Sequence, residues 1–338
     1  LLAKADFITL HVPMTDKTRG ILNAEAIAKT KKGVRIINCA RGGLVDEAAL
    51  AEAIKSGHVA GSGFDVFETE PATESPLFGL ENVVCTPHLG ASTTEAQENV
   101  ALQVADQMSD YLLKGAVTNA INMPSISADE APRLKPVIKL AEVLGGFAGQ
   151  VTESPIKQVE VLYDGIFADM NTTALTSAML AGLLRPVVAD VNMVSAPIMV
   201  KDKGIILQEA KRDKSGVYDG YIKLTITTEK QTRSVAGTVF SDGKPRFIQI
   251  KGINMDADVG RHMIYIANTD VPGMIGFMGS TLGDAGVNIA NFQLGRDNQG
   301  GDAIALLYVD EEPKQEVLDK LLAHPAIKQA KPLEFAVE

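Results

Sequence analysis

The chain has 338 residues, and its 32 Lys and Arg against 42 Asp and Glu give a formal net charge of −10 at pH 7. This length predicts two or three domains, and the acidic balance opposes a large contact with a nucleic-acid backbone. The most apolar long stretch, residues 176–200, is interrupted by Arg185, Pro186 and Asp190. It lacks the roughly 20 uninterrupted apolar residues of a membrane span. We therefore expect neither nucleic acid nor a membrane as a partner.

The chain contains two cysteines, Cys39 and Cys85, and each ends a short apolar run, where a small buried side chain fits. They predict neither a disulfide scaffold nor a metal site, and we expect a cytoplasmic protein. The first residues, LLAKADFITLHVP, contain no Met and no secretion signal. They resemble the end of a helix that runs directly into a strand, as is typical of a fragment.

Over the first ninety residues, short runs rich in Val, Ile and Phe alternate with helical patterns. The predicted strands are DFITLHV (6–12), VRIINCA (34–40), VAGSGFDVF (59–67) and NVVCTPH (82–88). The stretches NAEAIAKT and VDEAALAEAIKSG between them show helical spacing and acidic first turns. This alternation predicts βαβ units and a parallel sheet that is buried on both faces. A long helix from about Thr93 to Lys114 is expected to end at Gly115.

Residues 121–136, INMPSISADEAPRLKP, are dense in Pro, Ser and acidic residues and predict a linker at a domain boundary. Two helical stretches follow, near residues 136–147 and 171–184, together with the strand-like runs KQVEVLY, YIKLTITT, SVAGTVF and RFIQIKG. Asp242 and Gly243, between the last two runs, are a hairpin signal. This mixture predicts an α+β domain.

From Arg261 onward the patterns follow the order βαββαβ, which is typical of a ferredoxin-like domain. We therefore predict an α/β chain that contains the C-terminal half of a doubly wound, Rossmann-type parallel sheet, then an α+β domain and a βαββαβ domain. The predicted boundaries are 1–92 for the sheet, 93–120 for a connecting helix, 121–260 for the middle domain and 261–338 for the last domain.

Polar residues follow the predicted parallel strands, at the sheet edge where ligands bind in such folds. Arg41 follows the second strand, Asp65 and Glu70 follow the third, and His88 follows the fourth. Each has an ordinary structural interpretation by itself, since a lone His is more often a surface or core residue than a catalyst. Four such residues at one edge of one sheet favour a site instead.

Hydride transfer from a 2-hydroxy acid to a nicotinamide ring uses these side-chain types. Arg41 offers a bidentate fork for the substrate carboxylate. His88 is suited to accept the hydroxyl proton as the hydride leaves, and Glu70 would hold the imidazole in one tautomer and stabilise the imidazolium. Asp65 is then left to face the nicotinamide end of the cofactor. The four residues together predict a dehydrogenase site.

Four motifs, HVPMTDKTRGILN, NCARGGLVDEAAL, GFDVFETEP and TPHLGAST, together resemble the D-isomer-specific 2-hydroxyacid dehydrogenases. The resemblance covers essentially the whole chain and is to the long form, with an intervening domain and a terminal ACT domain. It implies that Arg41 binds substrate, that Glu70 supports His88, and that His88 is the acid/base. It also implies NAD contacts at Val12, Cys39, Ala40, Arg41, Asp65, His88, Gly90 and Ala91.

The resemblance further implies 3-phospho-D-glycerate as the substrate, oxidised with NAD to 3-phosphohydroxypyruvate in the first step of L-serine synthesis. In related enzymes L-serine binds between two ACT domains, and the matching positions here are Asn268, Asp270 and Asn288. Their amides and carboxylate suit an amino acid, although Asn and Asp beside Pro-Gly are also ordinary turn formers. L-serine is thus the implied feedback effector, and a homotetramer is the implied assembly.

The chain departs from the family pattern in one respect. The glycine fingerprint of the cofactor site, the acidic residue about 20 positions beyond it and the N-terminal substrate domain do not occur in these residues. The glycines of residues 61–67 lie within a strand and are no substitute. We therefore expect this chain by itself to be inactive and to bind NAD weakly.

Two alternatives remain at this point. The chain could be a non-catalytic regulatory protein that senses serine, or part of a reductase of another 2-oxo acid. An upstream segment with GxGxxG after a strand would favour the enzyme. In the middle domain, Arg246 and Lys251 are candidates for binding a phosphate or carboxylate, although Asp256 and Asp258 oppose this.

Overall fold

The computed structural model describes residues 1–213 and 216–336. The chain divides into two compact units, Leu1–Asp106 and Gln107–Glu338, which are described separately below. Among the described residues, no helix combines the length and the apolar character that crossing a bilayer requires. The domain boundaries at residues 92, 120 and 260 stay predictions.

The first unit contains a four-stranded, fully parallel sheet with its strands in chain order. The strands are β1 (Phe7–Leu10), β2 (Val34–Asn38), β3 (Val59–Phe64) and β4 (Val83–Cys85). Helices α1 (Ala24–Ala28) and α2 (Glu47–Lys55) lie between the first three strands, and each begins at a side-chain cap, Asn23 or Asp46. The predicted βαβ alternation and parallel sheet are confirmed.

The prediction that this sheet is buried on both faces is wrong for its outer strands. Phe7 in β1 is 63% exposed and Val84 in β4 is 68% exposed, whereas Val34 and Ile36 in β2 are buried. The reason is that the described residues of this unit cover the central strands but pack no layer over these two side chains. An apolar run in the sequence indicates a strand but not what covers it.

Helix α3 (Thr94–Lys114) follows, and Gly115, with a φ of 71°, comes directly after it, so the predicted helix is confirmed. The predicted linker is partly wrong, because α4 (Ala131–Val151) already contains residues 131–136. A Pro in the first helical turn is tolerated, since the N–H groups there have no helical acceptor. Burial of Leu134, Val137 and the apolar residues beyond them offsets the hydrogen bond lost at Pro136.

The second unit contains a six-stranded sheet in the order β10-β9-β8-β7-β5-β6, and its only parallel pair among the described residues is β5 with β6. Its strands are β5 (Ile156–Gly165), β6 (Ile206–Arg212), β7 (Gly220–Thr228), β8 (Thr232–Val239), β9 (Pro245–Ile250) and β10 (Ile253–Asp258). The same part of the chain contains helices α4, α5 (Thr172–Leu184) and α6 (Ser195–Asp202). The predicted hairpin is confirmed, with Gly243 at a φ of 78°.

A second sheet of this unit has the order β12-β13-β11-β14 with every pair antiparallel. Its elements are β11 (His262–Thr269), α7 (Met274–Asp284), β12 (Ile289–Arg296), β13 (Asp302–Val309), α8 (Gln315–Leu322) and β14 (Ile327–Glu334). This confirms the predicted βαββαβ order. Ile264 and Ile266 face α7 and α8, whereas Tyr265 packs edge-on against Phe147 of α4, 5.5 Å between ring centroids. The two sheets of this unit therefore share a core.

Candidate active site at the edge of the parallel sheet

The carboxyl ends of the four parallel strands meet at one edge of the sheet. Leu10 pairs with Asn38, Asn38 with Phe64, and Phe64 with Cys85. The segments that follow the strands, which contain all the predicted catalytic and cofactor residues, therefore leave the sheet side by side. This is the edge at which open parallel sheets bind their ligands.

Asn38 shapes the turn that carries Arg41. Its buried side chain donates from Nδ2 to the Arg41 carbonyl oxygen (2.9 Å) and accepts from the Ala40 N–H (3.2 Å). The next residue, Gly42, is required because a Cβ there would overlap the carbonyl group of Phe67. Sequence reasoning missed Asn38, although a polar residue closing an apolar strand was an available signal.

The exposed guanidinium of Arg41 donates to the carbonyl oxygen of Ala40 at 2.6 Å. Across the part of the chain that the structure describes, no carboxylate lies within ion-pair distance of it. A cation at the ligand-binding edge that pairs with no carboxylate among the described residues is suited to hold an anionic group. This is the position that the predicted substrate contact requires.

His88 and Glu70 form a hydrogen-bonded pair at the same edge. The Nδ1 atom of His88 lies 2.7 Å from Glu70 Oε2, and the backbone N–H of Phe67 donates to Glu70 Oε1 at 2.9 Å. The bond from His88 and then that from Phe67 lower the pKa of Glu70, which therefore stays a carboxylate near neutral pH. With Nδ1–H directed at this carboxylate, His88 Nε2 is the nitrogen that can exchange a proton with a substrate.

Asp65 holds the loop that contains His88. Its Oδ1 accepts from Thr86 Oγ1 (2.5 Å) and Leu89 N (2.7 Å), and its Oδ2 accepts from Gly90 N (2.9 Å). Burial raises the pKa of Asp65, but these three bonds and the nearby His88 outweigh it and lower the pKa below its ordinary value. The bonds bracket His88, whose φ of 59° is unusual for a residue other than Gly. Sequence reasoning missed the contact of Thr86.

The sequence predicts that Asp65 faces the cofactor, whereas the structure directs both of its oxygens at this loop. Val12, Cys39 and Ala91, three other predicted cofactor contacts, are exposed along the same edge. At Gly90 an added Cβ would lie 3.3 Å from Asp65 Oδ2, a tight contact, so glycine suits the close approach of Asp65 to this backbone. These residues fit the nicotinamide end of NAD; their contacts with it stay predictions.

The three residues predicted to bind serine lie at two ends of the second sheet of the C-terminal unit. Asp270 accepts from Arg296 (2.7 Å) and from Gly300 N (3.2 Å), and the bond from Arg296 is the main cause that lowers its pKa. Asn288 donates to Asp310 at 2.7 Å. Because β11 and β13 are antiparallel, with Thr269 opposite Asp302, the Asp310 end of the sheet is remote from Asn268 and Asp270. A single chain therefore does not bring the three residues together.

The structure also separates Arg246 and Lys251. Arg246, near the start of β9, forms an ion pair with Asp258 and lies 3.6 Å from Asp242, so its charge is compensated. Lys251 lies in the turn after the other end of that strand. The two cations do not form a shared anion site.

Comparisons with known proteins identify relatives of this chain. Residues 1–90 match the D-isomer specific 2-hydroxyacid dehydrogenase, NAD binding domain, and residues 133–251 match the D-3-phosphoglycerate dehydrogenase intervening domain. The chain is 41% identical to a D-3-phosphoglycerate dehydrogenase of Bacillus subtilis over 332 aligned residues. The aligned region covers 98% of this chain and 63% of that protein. A protein of the same name from Methanocaldococcus jannaschii is 41% identical over 329 residues, 97% of this chain and 62% of that protein.

Among solved structures, a glyoxylate reductase from Paecilomyes thermophila is 38% identical, with a TM-score of 0.32 and coverage of 36% of this chain and 37% of that chain. The chain spans less than two thirds of the length of the curated relatives above.

Proposed function

The chain belongs to the D-isomer-specific 2-hydroxyacid dehydrogenase family, and on this premise we propose that the protein oxidises 3-phospho-D-glycerate to 3-phosphohydroxypyruvate with NAD. This reaction is the first step of L-serine synthesis, and we place it in the cytoplasm. The observation that carries the proposal is the His88–Glu70 pair at the edge of the parallel sheet where Arg41 also lies. The substrate is taken from the names of the relatives.

In the proposed reaction Arg41 holds the substrate carboxylate with its guanidinium, which also polarises the carbonyl group being formed. His88 Nε2 accepts the proton of the substrate hydroxyl. Glu70 keeps the imidazole in the required tautomer and balances the positive charge that it gains. Bound NAD supplies the acceptor for the hydride. In this proposal Asp65 acts by holding the loop around His88.

We further propose that L-serine inhibits the enzyme through residues 261–336, acting as an ACT domain. The βαββαβ order supports this, as does the carboxylate of Asp270, which suits the ammonium group of an amino acid. Because Asn288 lies at the opposite end of the sheet, a complete serine site needs residues from two chains. This agrees with the homotetramer that we propose for the assembly.

The test is NADH formation by the full-length protein with 3-phospho-D-glycerate, compared with D-lactate and D-glycerate at matched concentrations, with and without L-serine. We expect the highest kcat/KM for 3-phospho-D-glycerate and inhibition by L-serine. A higher kcat/KM for D-lactate would identify an enzyme for another 2-oxo acid. Failure to reduce NAD with all three substrates, with serine binding retained, would identify a non-catalytic serine sensor.

A further inference from the structure

A cleft of about 540 Å³ lies within the C-terminal unit, between its two sheets. One wall contains Arg233 of β8 and Lys251 of the turn between β9 and β10. The other wall contains Asn268 at the end of β11 and Lys328 at the start of β14, and Leu318 of α8 contributes an apolar surface. The cleft needs only one chain, and neither Arg41 nor His88 takes part in it.

The polar lining of the cleft has a positive balance. It contains four cationic side chains, Arg233, Lys251, Lys328 and Lys331, and three acidic ones, Glu153, Asp297 and Asp302, which gives a net charge of +1. Two of the acids are engaged by cations, since Lys328 pairs with Asp302 and Lys331 with Glu153. Asp297 accepts from the N–H of Asn298 at 2.6 Å.

Arg233 is fixed in place, and one of its three nitrogens lacks an acceptor. Its two terminal nitrogens donate to the Val151 carbonyl oxygen (2.6 Å) and to Gln329 Oε1 (3.0 Å). Its buried Nε–H has no acceptor, and in residues 1–213 and 216–336 no carboxylate pairs with the guanidinium. A buried donor without an acceptor is destabilising, so an anion that accepted this bond would stabilise the site.

Lys251 adds a second uncompensated cation. It forms no ion pair within the described parts of the chain. Burial of its ammonium group and then the positive charge of Arg233 lower the pKa of Lys251, although the residue as a whole is exposed. Lys328 adds to this effect, and Asp302 opposes it. An anion between Lys251 and Arg233 would relieve their mutual repulsion.

Asn268 contributes the complementary feature, an acceptor that lacks a donor. The residue is 2% exposed, and its Nδ2 donates to the Thr269 carbonyl oxygen at 2.9 Å. Its buried Oδ1 receives no hydrogen bond from any described residue. A ligand that satisfies this atom must carry an O–H or N–H group.

We propose that this cleft binds a small carboxylate or phosphate anion that also carries a hydroxyl or ammonium group. The anionic oxygens accept from Arg233 Nε–H and Lys251, and the hydroxyl or ammonium group donates to Asn268 Oδ1. The cleft therefore recognises a small molecule that carries both a hydrogen-bond acceptor, the anionic group, and a hydrogen-bond donor, the hydroxyl or ammonium group. The inference stands on the cleft alone and does not depend on the proposed dehydrogenase activity.

The experiment is isothermal calorimetry on the full chain in phosphate-free buffer, with D-glycerate and propionate as probes. Both probes have three carbons and one carboxylate, but only D-glycerate carries hydroxyl groups. We expect D-glycerate to bind more tightly than propionate, and Asn268→Ala to remove this preference. Lys251→Asn should weaken D-glycerate binding about tenfold or more, as expected for the loss of a charged hydrogen bond.

The variants are chosen to separate charge from folding. Asn and Gly both tolerate the positive φ of 49° at Lys251, so Lys251→Gly repeats the test if Lys251→Asn unfolds. Lys244→Asn removes the same charge from an exposed position outside the cleft and should leave binding unchanged. Equal affinity in the wild-type and both Lys251 variants would overturn the inference. Loss of binding in Arg41→Ala alone would overturn it too, because the probe would then bind at the parallel sheet.

Discussion

The edge of the parallel sheet and the C-terminal unit both carry candidate sites, but their carboxylates have different hydrogen-bond partners. At the edge of the parallel sheet, Asp65 and Glu70 accept mainly from backbone N–H groups, a hydroxyl and an imidazole, and Arg41 is left without a carboxylate partner in the described chain. In the C-terminal unit, Asp270 and Asp302 are instead held by cationic side chains.

The difference has a consequence for ligand binding. A carboxylate bound to backbone groups fixes the shape of a loop and leaves the neighbouring cation available, so the first region is organised before its ligand arrives. A carboxylate that is already paired with a cation offers less net negative charge to a ligand ammonium group. Binding at Asp270 is therefore expected to compete with Arg296, whereas binding at Arg41 displaces no internal ion pair.

The largest expected effect concerns His88, which acts chemically in the organised region. His88→Ala in the full-length protein should lower kcat by about 100-fold or more, because general acid–base catalysis contributes roughly 10²- to 10⁴-fold. Steady-state kinetics measure the loss, and the Kd for NADH from fluorescence titration should change much less than kcat, because His88 is one of eight predicted cofactor contacts. Unaltered turnover would remove His88 from the proposed mechanism.

Arg296 offers a direct test of competition in the second region. Asp270→Ala should weaken L-serine binding at least about tenfold, through loss of a charged hydrogen bond. Arg296→Gln should strengthen it, because the charge of Asp270 is then no longer compensated by Arg296. Calorimetry on both variants measures the two shifts. If Arg296→Gln weakened serine binding as much as Asp270→Ala did, Arg296 would be part of the site rather than a competitor.

Arg41 tests whether the geometry of the cation matters as well as its charge. Arg41→Lys keeps the charge but loses the planar fork that fits a carboxylate, so we expect kcat/KM to fall by about tenfold. Substrate titration under initial-rate conditions measures this. A variant with the wild-type kcat/KM would show that another residue holds the substrate carboxylate.

The smallest expected effect is on stability and concerns Asp65. Asp65→Asn removes an acceptor either from Gly90 or from Thr86 and Leu89, and should lower the free energy of unfolding of the N-terminal unit by about 1 kcal/mol. Since folding lowers the pKa of Asp65, its contribution is complete above the ordinary value of 3.8 and is lost as the pH falls through the lower, folded value. Urea unfolding at pH 7 and pH 3 should therefore show a smaller difference between variant and wild type at pH 3. An equal difference at both pH values would contradict this role.

Strand prediction succeeded where burial leaves a continuous or alternating apolar pattern. It failed for β6, which is exposed along its whole length and is held by backbone bonds to β5, a pairing that leaves little trace in side-chain pattern. It also missed β10, where buried Ile253, Met255 and Ala257 do alternate with Asn and Asp, residues that are depleted in strands. Helix α4 began earlier than predicted because a Pro in its first turn is tolerated and packing of its apolar face outweighed Pro136.

The sequence by itself determined the alternation of elements and the residue types at the ends of the parallel strands, because both depend on local periodicity and chain order. Only the tertiary structure decided where those side chains point. Asp65 turns to Gly90, 25 positions away, and Arg233 reaches Gln329, 96 positions away. The unsatisfied oxygen of Asn268 likewise becomes visible only when both walls of its cleft are in place. Such contacts are set by the packing of distant segments, and no spacing within the sequence encodes them.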